Sequence, residues 1–153
     1  MFISTPHNNV LALDAGTGKL KWQFAYNPPV ILYPVSRGLG VADGKVLMGT
    51  LDCRVIALDP ATGKEQWNVP GCHDDNNSWF SMASYVYKGN VILGTAGGDN
   101  GSQGYVSAFR LADGPATRGS TAAPPCGPRT TACRRPATGR SRSRPRTRPS
   151  LPR

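Results

Sequence analysis

One eleven-residue segment occurs twice in this 153-residue chain, and the spacing of its copies constrains the fold more than any other feature. The segment ALDAGTGKLKW, from Ala12 to Trp22, returns 45 residues later as ALDPATGKEQW, from Ala57 to Trp67. Each copy starts within a short apolar stretch, Asn9–Leu13 or Arg54–Leu58, that predicts a β-strand. Strand repeats of about 40 to 50 residues are typical of propeller blades. The sequence therefore predicts an all-β fold built from stacked blades.

The shared Asp-x-x-Thr-Gly-Lys pattern predicts a hairpin turn between two strands of each blade. Asp14 and Asp59 can accept hydrogen bonds from the backbone two residues on, and the glycine of each copy can adopt a positive φ. The tryptophan at the end of each copy would then be buried between blades. A buried indole needs one acceptor for its N–H, so we expect a hydrogen bond at each junction.

A third and looser copy, from Gly104 to Gly114, ends without the lysine and the tryptophan, and the composition changes at the same place. Residues 115–153 contain ten Arg and eight Pro but no acidic or aromatic residue. Residues 1–114 are nearly neutral, with eight Lys and Arg against nine Asp and Glu, so the net charge of +9 comes from the tail. We divide the chain into a partial propeller, 1–114, and a basic tail, 115–153.

Three interpretations of the tail remain open. It is a basic arm that binds nucleic acid through its phosphates, a solvated linker, or an out-of-frame translation of a GC-rich gene. We favour the third, because the change interrupts a hairpin whose next residues the repeat predicts. A segment of this composition buries too little apolar surface to fold, so we expect a disordered tail in which Cys126 and Cys133 have no structural role.

The first 114 residues provide two blades and the start of a third, which is an open stack. Such a stack exposes apolar faces, so we expect marginal stability or aggregation. The segment Met1–Pro6 predicts a strand already in progress, without the charged and apolar regions of a signal peptide. No segment has the roughly 18 apolar residues of a membrane span. We interpret the chain as a fragment.

Four segments resemble quinoprotein dehydrogenases of the methanol and ethanol dehydrogenase type, in the order and spacing of that family. They are Asn9–Lys19, Ser36–Leu39, Met48–Asp59 and Gly97–Ala108. The resemblance implies an eight-bladed propeller that holds pyrroloquinoline quinone (PQQ) and a calcium or lanthanide ion on its axis. It further implies oxidation of an alcohol by hydride transfer to the quinone, a periplasmic location, and a cytochrome c or quinone as electron acceptor.

The resemblance also assigns roles to individual residues. Arg37 would pair with a carboxylate of the quinone, and Ser81 stands where the family has a carboxylate-binding Thr. Gly97 and Gly98 would let the backbone approach the planar cofactor, and Asp99 replaces the family's metal-binding Glu by a shorter carboxylate. Read from the residues alone, Arg37 is a surface side chain, Ser81 a strand-start residue bonded to water, and Asp99 the cap of a glycine-rich turn.

The chain departs from the family at several positions. Ala96 replaces a Ser that bonds the cofactor in many relatives, and Ile31-Leu32 replaces a vicinal cysteine pair. The catalytic Asp, the metal-binding Asn and the Trp under the quinone would follow beyond the point where this chain leaves the pattern. We therefore expect no catalytic residue here and an inactive fragment.

Two other functions and one cysteine-containing motif fit parts of the sequence. A non-catalytic propeller scaffold shares the repeat, and a nucleic-acid binder requires a genuine tail; our prediction is that no nucleic acid is bound. The motif Cys72-His73-Asp74-Asp75 has no second ligand pair and predicts a structural loop rather than a metal site. Cys53 is interpreted as a small residue in a turn, and the sequence does not decide whether it pairs with Cys72.

Overall fold

The chain folds into antiparallel β-sheets, as the computed structural model shows for residues 1–27, 35–72, 77–102 and 104–115. These residues all belong to one compact unit, Met1–Ala123. Most of the predicted tail, Ile31-Leu32 and His73–Asp75 lie outside the described residues. The described part contains ten strands and two single 3-10 turns, Pro6–Asn8 and Gly98–Asn100. The strands are β1 Phe2–Thr5, β2 Asn9–Leu13, β3 Leu20–Phe24, β4 Gly40–Ala42, β5 Lys45–Gly49, β6 Arg54–Leu58, β7 Glu65–Pro70, β8 Tyr85–Tyr87, β9 Asn90–Gly94 and β10 Val106–Arg110.

The strands form three sheets that follow one another along the chain. The first sheet has the order β1-β2-β3, the second β4-β5-β6-β7, and the third β10-β9-β8. The predicted strands Asn9–Leu13 and Arg54–Leu58 are confirmed as β2 and β6. The segment Tyr85–Leu93 reads as one strand in the sequence but forms β8 and β9, because Lys88 and Gly89 make a two-residue turn with positive φ at both positions.

The sheets pack face to face through two apolar clusters, because side chains alternate between the two sides of each strand. One cluster joins the first and second sheets through residues such as Val10 and Ile56. The other joins the second and third sheets through residues such as Leu47 and Leu93. The second sheet is thus covered on both faces, and its strands β5 and β6 are buried along nearly their whole length.

The repeated turn has the predicted chemistry in both copies. Oδ1 of Asp14 accepts hydrogen bonds from Gly16 N, Thr17 N and Thr17 Oγ1, at 3.1, 2.9 and 2.9 Å. Asp59 accepts the equivalent three bonds from Ala61 and Thr62. Hydrogen bonds from Thr17 are the main reason that the pKa of Asp14 falls to about 2, and those from Thr62 lower the pKa of Asp59.

Each repeat tryptophan links its own sheet to the turn of the next one. Trp22 Nε1 donates to the Pro60 carbonyl at 3.0 Å, and Trp67 Nε1 donates to the Leu111 carbonyl at 3.1 Å. Pro60 and Leu111 occupy the same place in successive copies of the repeat. The third turn also keeps the backbone bond that closes the others, from Gly114 N to Arg110 O at 2.8 Å. The predicted indole junction is therefore confirmed at both interfaces.

Candidate functional site

The sheet topology separates short turns from long connections. Strand direction alternates within each sheet, so the turns β4–β5, β8–β9 and β6–β7 share one end, together with the repeat turn β2–β3. The connections β3–β4, β5–β6, β7–β8 and β9–β10 belong to the opposite end. This end carries the longest connections between strands, and binding residues are most often found on such connections. It is also where every predicted site residue lies.

A cavity of about 350 Å³ opens at this end. Three connections contribute to it: β3–β4, β7–β8 and β9–β10. Its lining residues are Val35, Arg37, Trp79, Ser81, Ala96, Gly97, Asp99 and Asn100. Four of the five predicted site residues, Arg37, Ser81, Gly97 and Asp99, are thereby brought together from segments far apart in sequence. Gly98 is exposed and is not among the lining residues.

Arg37 and Ser81 form the best-defined pair in this cavity. The Arg37 Nη1 atom donates to Ser81 Oγ at 2.8 Å, and the Arg37 backbone N–H donates to the Ser81 carbonyl, also at 2.8 Å. Ser81 is buried whereas Arg37 is exposed. The serine hydroxyl therefore orients one arm of the guanidinium and leaves its other N–H groups to donate to an anion.

The connection β9–β10 is much longer than its counterpart in the second sheet. Four residues join β5 to β6, whereas eleven join β9 to β10. The additional length holds Gly97, which has φ of 123° and is buried. A Cβ at Gly97 would collide with the Asn77 carbonyl oxygen, so this position excludes any side chain. Packing against Asn77 is thus a reason for glycine at this position that is independent of a cofactor.

Asp99 lies in the 3-10 turn Gly98–Asn100 and is exposed at the cavity wall, next to Asn100. Carboxylate and amide oxygens are the ligands that a hard cation prefers. Within the described ranges, no three His, Cys, Asp or Glu side chains lie close enough together to hold a metal ion. Asp99 can therefore contribute one ligand to a metal site that needs further oxygens from elsewhere.

Trp79 is a site residue that the sequence reasoning did not assign. Its backbone pairs with Ala96: Ala96 N donates to the Trp79 carbonyl at 2.8 Å, and Trp79 N donates to the Ala96 carbonyl at 3.2 Å. This bridge joins the β7–β8 and β9–β10 connections at the cavity wall. Trp79 is the one tryptophan of the three that falls outside the repeat, and this difference could have identified it from the sequence as a candidate site residue.

A disulfide between Cys53 and Cys72 supports the β7–β8 connection, with the Cα atoms 5.3 Å apart. The interpretation of Cys53 as only a small turn residue was therefore wrong. Its φ of 61° nonetheless explains why the position suits a small residue. Two backbone bonds flank the disulfide, from Gly71 N to Cys53 O at 2.8 Å and from Phe80 N to Thr50 O at 3.0 Å. Both ends of the segment that leads to Ser81 are fixed in this way.

Side-chain hydrogen bonds also stabilise the turn that contains Cys53. Tyr26 donates to Asp52 Oδ2 at 2.8 Å, and Thr50 Oγ1 donates to Asp52 Oδ1 at 2.6 Å. Partial burial, followed by the hydrogen bond to Asp52, raises the pKa of Tyr26 to about 12. Tyr26 thus stays a neutral donor and ties the β3–β4 connection to the Thr50–Cys53 turn.

The sequence of this chain matches one family model and several known proteins. A family model described as outer membrane protein assembly factor BamB matches residues 1–140. The 1-butanol dehydrogenase (cytochrome c) of Thauera butanivorans is 36% identical over 118 residues, which cover 71% of this chain and 17% of the relative. The chain thus spans about a sixth of that protein. No helix in the described ranges is long and apolar enough to cross a membrane.

Two solved structures resemble the chain at a similar level of identity. The quinohemoprotein alcohol dehydrogenase of Comamonas testosteroni matches with a TM-score of 0.69 and 34% identity, covering 76% of this chain and 18% of that one. A europium-containing methanol dehydrogenase matches with a TM-score of 0.67 and 34% identity, covering 76% and 22%. The three sheets are therefore blades of the propeller found in quinoprotein dehydrogenases.

Proposed function

Because this chain belongs to the family of PQQ-dependent quinoprotein alcohol dehydrogenases, we propose that it supplies one wall of the cofactor site in such an enzyme. A quinone held there would supply a hydride acceptor for the oxidation of an alcohol. The contribution of this chain is to bind and orient the cofactor and to provide one metal ligand. The intact protein would oxidise an alcohol in the periplasm and pass electrons to a cytochrome c or a quinone.

The hydrogen-bonded pair of Arg37 and Ser81 is the observation that carries this proposal. PQQ is a tricarboxylate, so its site needs cationic and neutral donors. Arg37 is the one cation among the cavity-lining residues of the described chain, and Ser81 fixes its guanidinium at 2.8 Å. A guanidinium held in this way is preorganised for a carboxylate, which lowers the entropy lost on binding.

The size and the walls of the cavity also suit a planar organic anion. Its volume of about 350 Å³ lies at the lower end of the range for small-molecule sites. Trp79 and Ala96 add apolar surface, and Gly97 presents backbone instead of a side chain. The side chain of Ala96 cannot donate a hydrogen bond to the cofactor. Arg37 and Ser81 therefore provide a larger share of the polar contacts than they would if residue 96 were a serine.

Asp99 is proposed as a ligand of a calcium or lanthanide ion bound beside the cofactor. A carboxylate is a hard oxygen ligand, and Asp99 faces the same cavity as Arg37. Its side chain is one methylene shorter than Glu, so the ion would lie close to the Gly98–Asn100 turn or bind through water. The remaining oxygens would come from the cofactor and from parts of the protein beyond this chain.

The proposed role of Arg37 and Ser81 can be tested by measuring how tightly quinone binds to the 153-residue chain. Quenching of tryptophan fluorescence reports the binding. We expect Arg37→Gln to weaken binding by about 10- to 100-fold, because a hydrogen bond to a charged group contributes roughly 1.5–3 kcal/mol. Ser81→Ala should have a smaller effect in the same direction. The matched control is Arg110→Gln, since Arg110 is exposed and pairs with Asp113 at the other end of the third sheet.

Two results would count against this assignment. If Arg37→Gln and Arg110→Gln weaken quinone binding equally, the affinity depends only on the net charge of the chain. Absence of quinone affinity in a full-length relative would favour the non-catalytic propeller scaffold. That alternative shares the repeat but has no use for a preorganised arginine.

The metal assignment can be tested separately with terbium, whose luminescence a nearby indole sensitises. Trp79 lines the same cavity as Asp99, so bound terbium should be excited through it. We expect Asp99→Asn, which removes the charge and keeps the shape, to abolish the sensitised emission in the presence of quinone. Asp113→Asn removes a carboxylate that is also exposed but lies outside the cavity, and should leave the emission unchanged. Emission that persists in Asp99→Asn would exclude Asp99 as a ligand.

A further inference from the structure

Phe80, the residue before Ser81, is buried in a narrow apolar slot. Its side chain is 1% exposed and belongs to the cluster between the second and third sheets. Two glycines from separate segments form the walls: a Cβ at Gly49 would lie 2.5 Å from Phe80 Cβ, and one at Gly71 would lie 2.5 Å from Phe80 Cε2. Both positions exclude a side chain because the phenyl group fills the space between them. We call this space, between Gly49 and Gly71, the Phe80 slot.

The disulfide between Cys53 and Cys72 closes this slot. Cys72 directly follows Gly71, and Gly71 N donates to the Cys53 carbonyl at 2.8 Å. One wall is thus attached to the turn that contains Cys53 by a covalent bond and a hydrogen bond. The other wall, Gly49, ends β5 directly before the same turn. The disulfide therefore limits how far the two walls can separate.

The slot is connected to the candidate site through one peptide unit. Phe80 N donates to the Thr50 carbonyl at 3.0 Å, which fixes the backbone just before Ser81. The Ser81 carbonyl accepts from Arg37 N, and the Ser81 hydroxyl accepts from Arg37 Nη1, both at 2.8 Å. Ser81 itself is 6% exposed. A displacement of the phenyl group therefore moves both acceptors that hold the arginine.

We propose that the Cys53–Cys72 disulfide is a positioning element of the candidate site. By keeping the Phe80 slot closed, it sets the place of Ser81 and so the orientation of the Arg37 guanidinium. Neither cysteine is among the described residues that line the cavity, so the effect is transmitted through packing. The consequence for binding rests on the proposed function: the disulfide form should bind quinone more tightly than the dithiol form.

Opening the disulfide requires two electrons and two protons, which a dithiol such as dithiothreitol supplies. The bond between Cys53 and Cys72 breaks, each cysteine gains a proton, and the two sulfurs of the reagent are oxidised to a cyclic disulfide. Gly71 is then held to the turn by its hydrogen bond to Cys53 alone. The slot can widen, so the hydrogen bonds on either side of the phenyl group should open more often.

Native-state hydrogen exchange of the full 153-residue chain tests the positioning without any ligand. We expect reduction to accelerate exchange of the Phe80 and Arg37 amides by about 2- to 10-fold, the range that one neutral hydrogen bond represents. Amides of β2, in the first sheet, should keep their rates. The matched control is Cys53→Ser/Cys72→Ser, which retains the two cysteines of the tail. It should exchange at the faster rate with and without the reductant.

A glycine substitution perturbs the slot while leaving the disulfide in place. In Gly71→Ala the new methyl group would overlap with the phenyl ring, so the Arg37 amide should exchange faster without any reductant. Gly16→Ala is the matched control, because a Cβ at Gly16 makes only an ordinary contact and the second copy of the repeat has Ala61 at this position. It should leave the Arg37 rate unchanged.

Quinone affinity then shows whether the disulfide acts through Ser81. Reduction should weaken binding to the unmodified chain by about 2- to 10-fold, again the range of one neutral hydrogen bond. It should weaken binding less in Ser81→Ala, because the hydroxyl that the disulfide positions is already absent. If the proposed function itself fails, Arg37→Gln leaves the affinity unchanged; if only the positioning fails, Arg37→Gln keeps its effect and reduction has none.

Three results would overturn the proposal. One is exchange of the Phe80 and Arg37 amides that does not respond to reduction. Another is an equal acceleration in β2, which would mean that the disulfide only stabilises the fold in general. The third is an equal loss of quinone affinity on reduction in the unmodified chain and in Ser81→Ala.

Discussion

At the scale of single residues, glycine in the repeated turn has two separable tasks. Gly18 and Gly63 both have φ of 72°, which L side chains rarely adopt. They differ in their surroundings: a Cβ at Gly63 would lie 2.6 Å from Cε3 of Trp22, and a Cβ at Gly18 would meet nothing within 4 Å. The same turn therefore provides a backbone conformation in the first sheet and also a flat platform for an indole in the second.

This difference makes Gly18→Ala and Gly63→Ala a matched pair. Both substitutions should destabilise the chain by about 1–2 kcal/mol, because each places a Cβ in the left-handed region. Gly63→Ala should cost about 1–3 kcal/mol more, since the methyl group would overlap with Trp22. Urea denaturation of both variants measures the difference. Equal losses would mean that the platform contributes nothing and that the positive φ alone requires glycine.

At the scale of strands and connections, local patterns predicted the repeated turn but neither the turn at Lys88-Gly89 nor the long connections. The Asp-x-x-Thr-Gly-Lys motif specifies its own hydrogen bonds, so β2, β6 and their turns could be located from sequence. Lys88-Gly89 was missed because Lys is not a typical turn residue, although the glycine beside it was a signal. The placement of Trp79 beside Ala96 depends on contacts between distant segments, which no local pattern encodes.

The Cys53–Cys72 disulfide is the covalent support of one such connection. It joins residues 19 apart and is flanked by the backbone bonds of Gly71 and Phe80. Closing a loop of this length removes unfolded-state entropy worth about 3 kcal/mol. We expect dithiothreitol to lower the urea midpoint of the chain accordingly. The double variant Cys53→Ser/Cys72→Ser should show the lower midpoint and no response to the reductant; a midpoint unaffected by reduction would contradict the prediction.

At the scale of the whole molecule, the described residues form a stack in which apolar clusters join the first sheet to the second and the second to the third. The 45-residue repeat was enough to predict this arrangement, because each blade needs a neighbour to cover its apolar face. The repeat did not reveal that the candidate site is built from the long connections. Only the assembled sheets bring Arg37 and Asp99 to the same cavity, across 62 positions of sequence.

A stack of this kind should lose its sheets one junction at a time, which native-state hydrogen exchange can detect. Trp22 ties the first sheet to the second, and Trp67 ties the second to the third. Trp22→Phe removes one indole donor, so amides of β1–β3 should exchange faster while those of β8–β10 keep their protection. Trp67→Phe should give the opposite pattern. The two variants are controls for each other, because the same indole N–H donor is removed at two junctions. If either substitution accelerates exchange uniformly across all ten strands, the sheets unfold as one cooperative unit and the nearest-neighbour description fails.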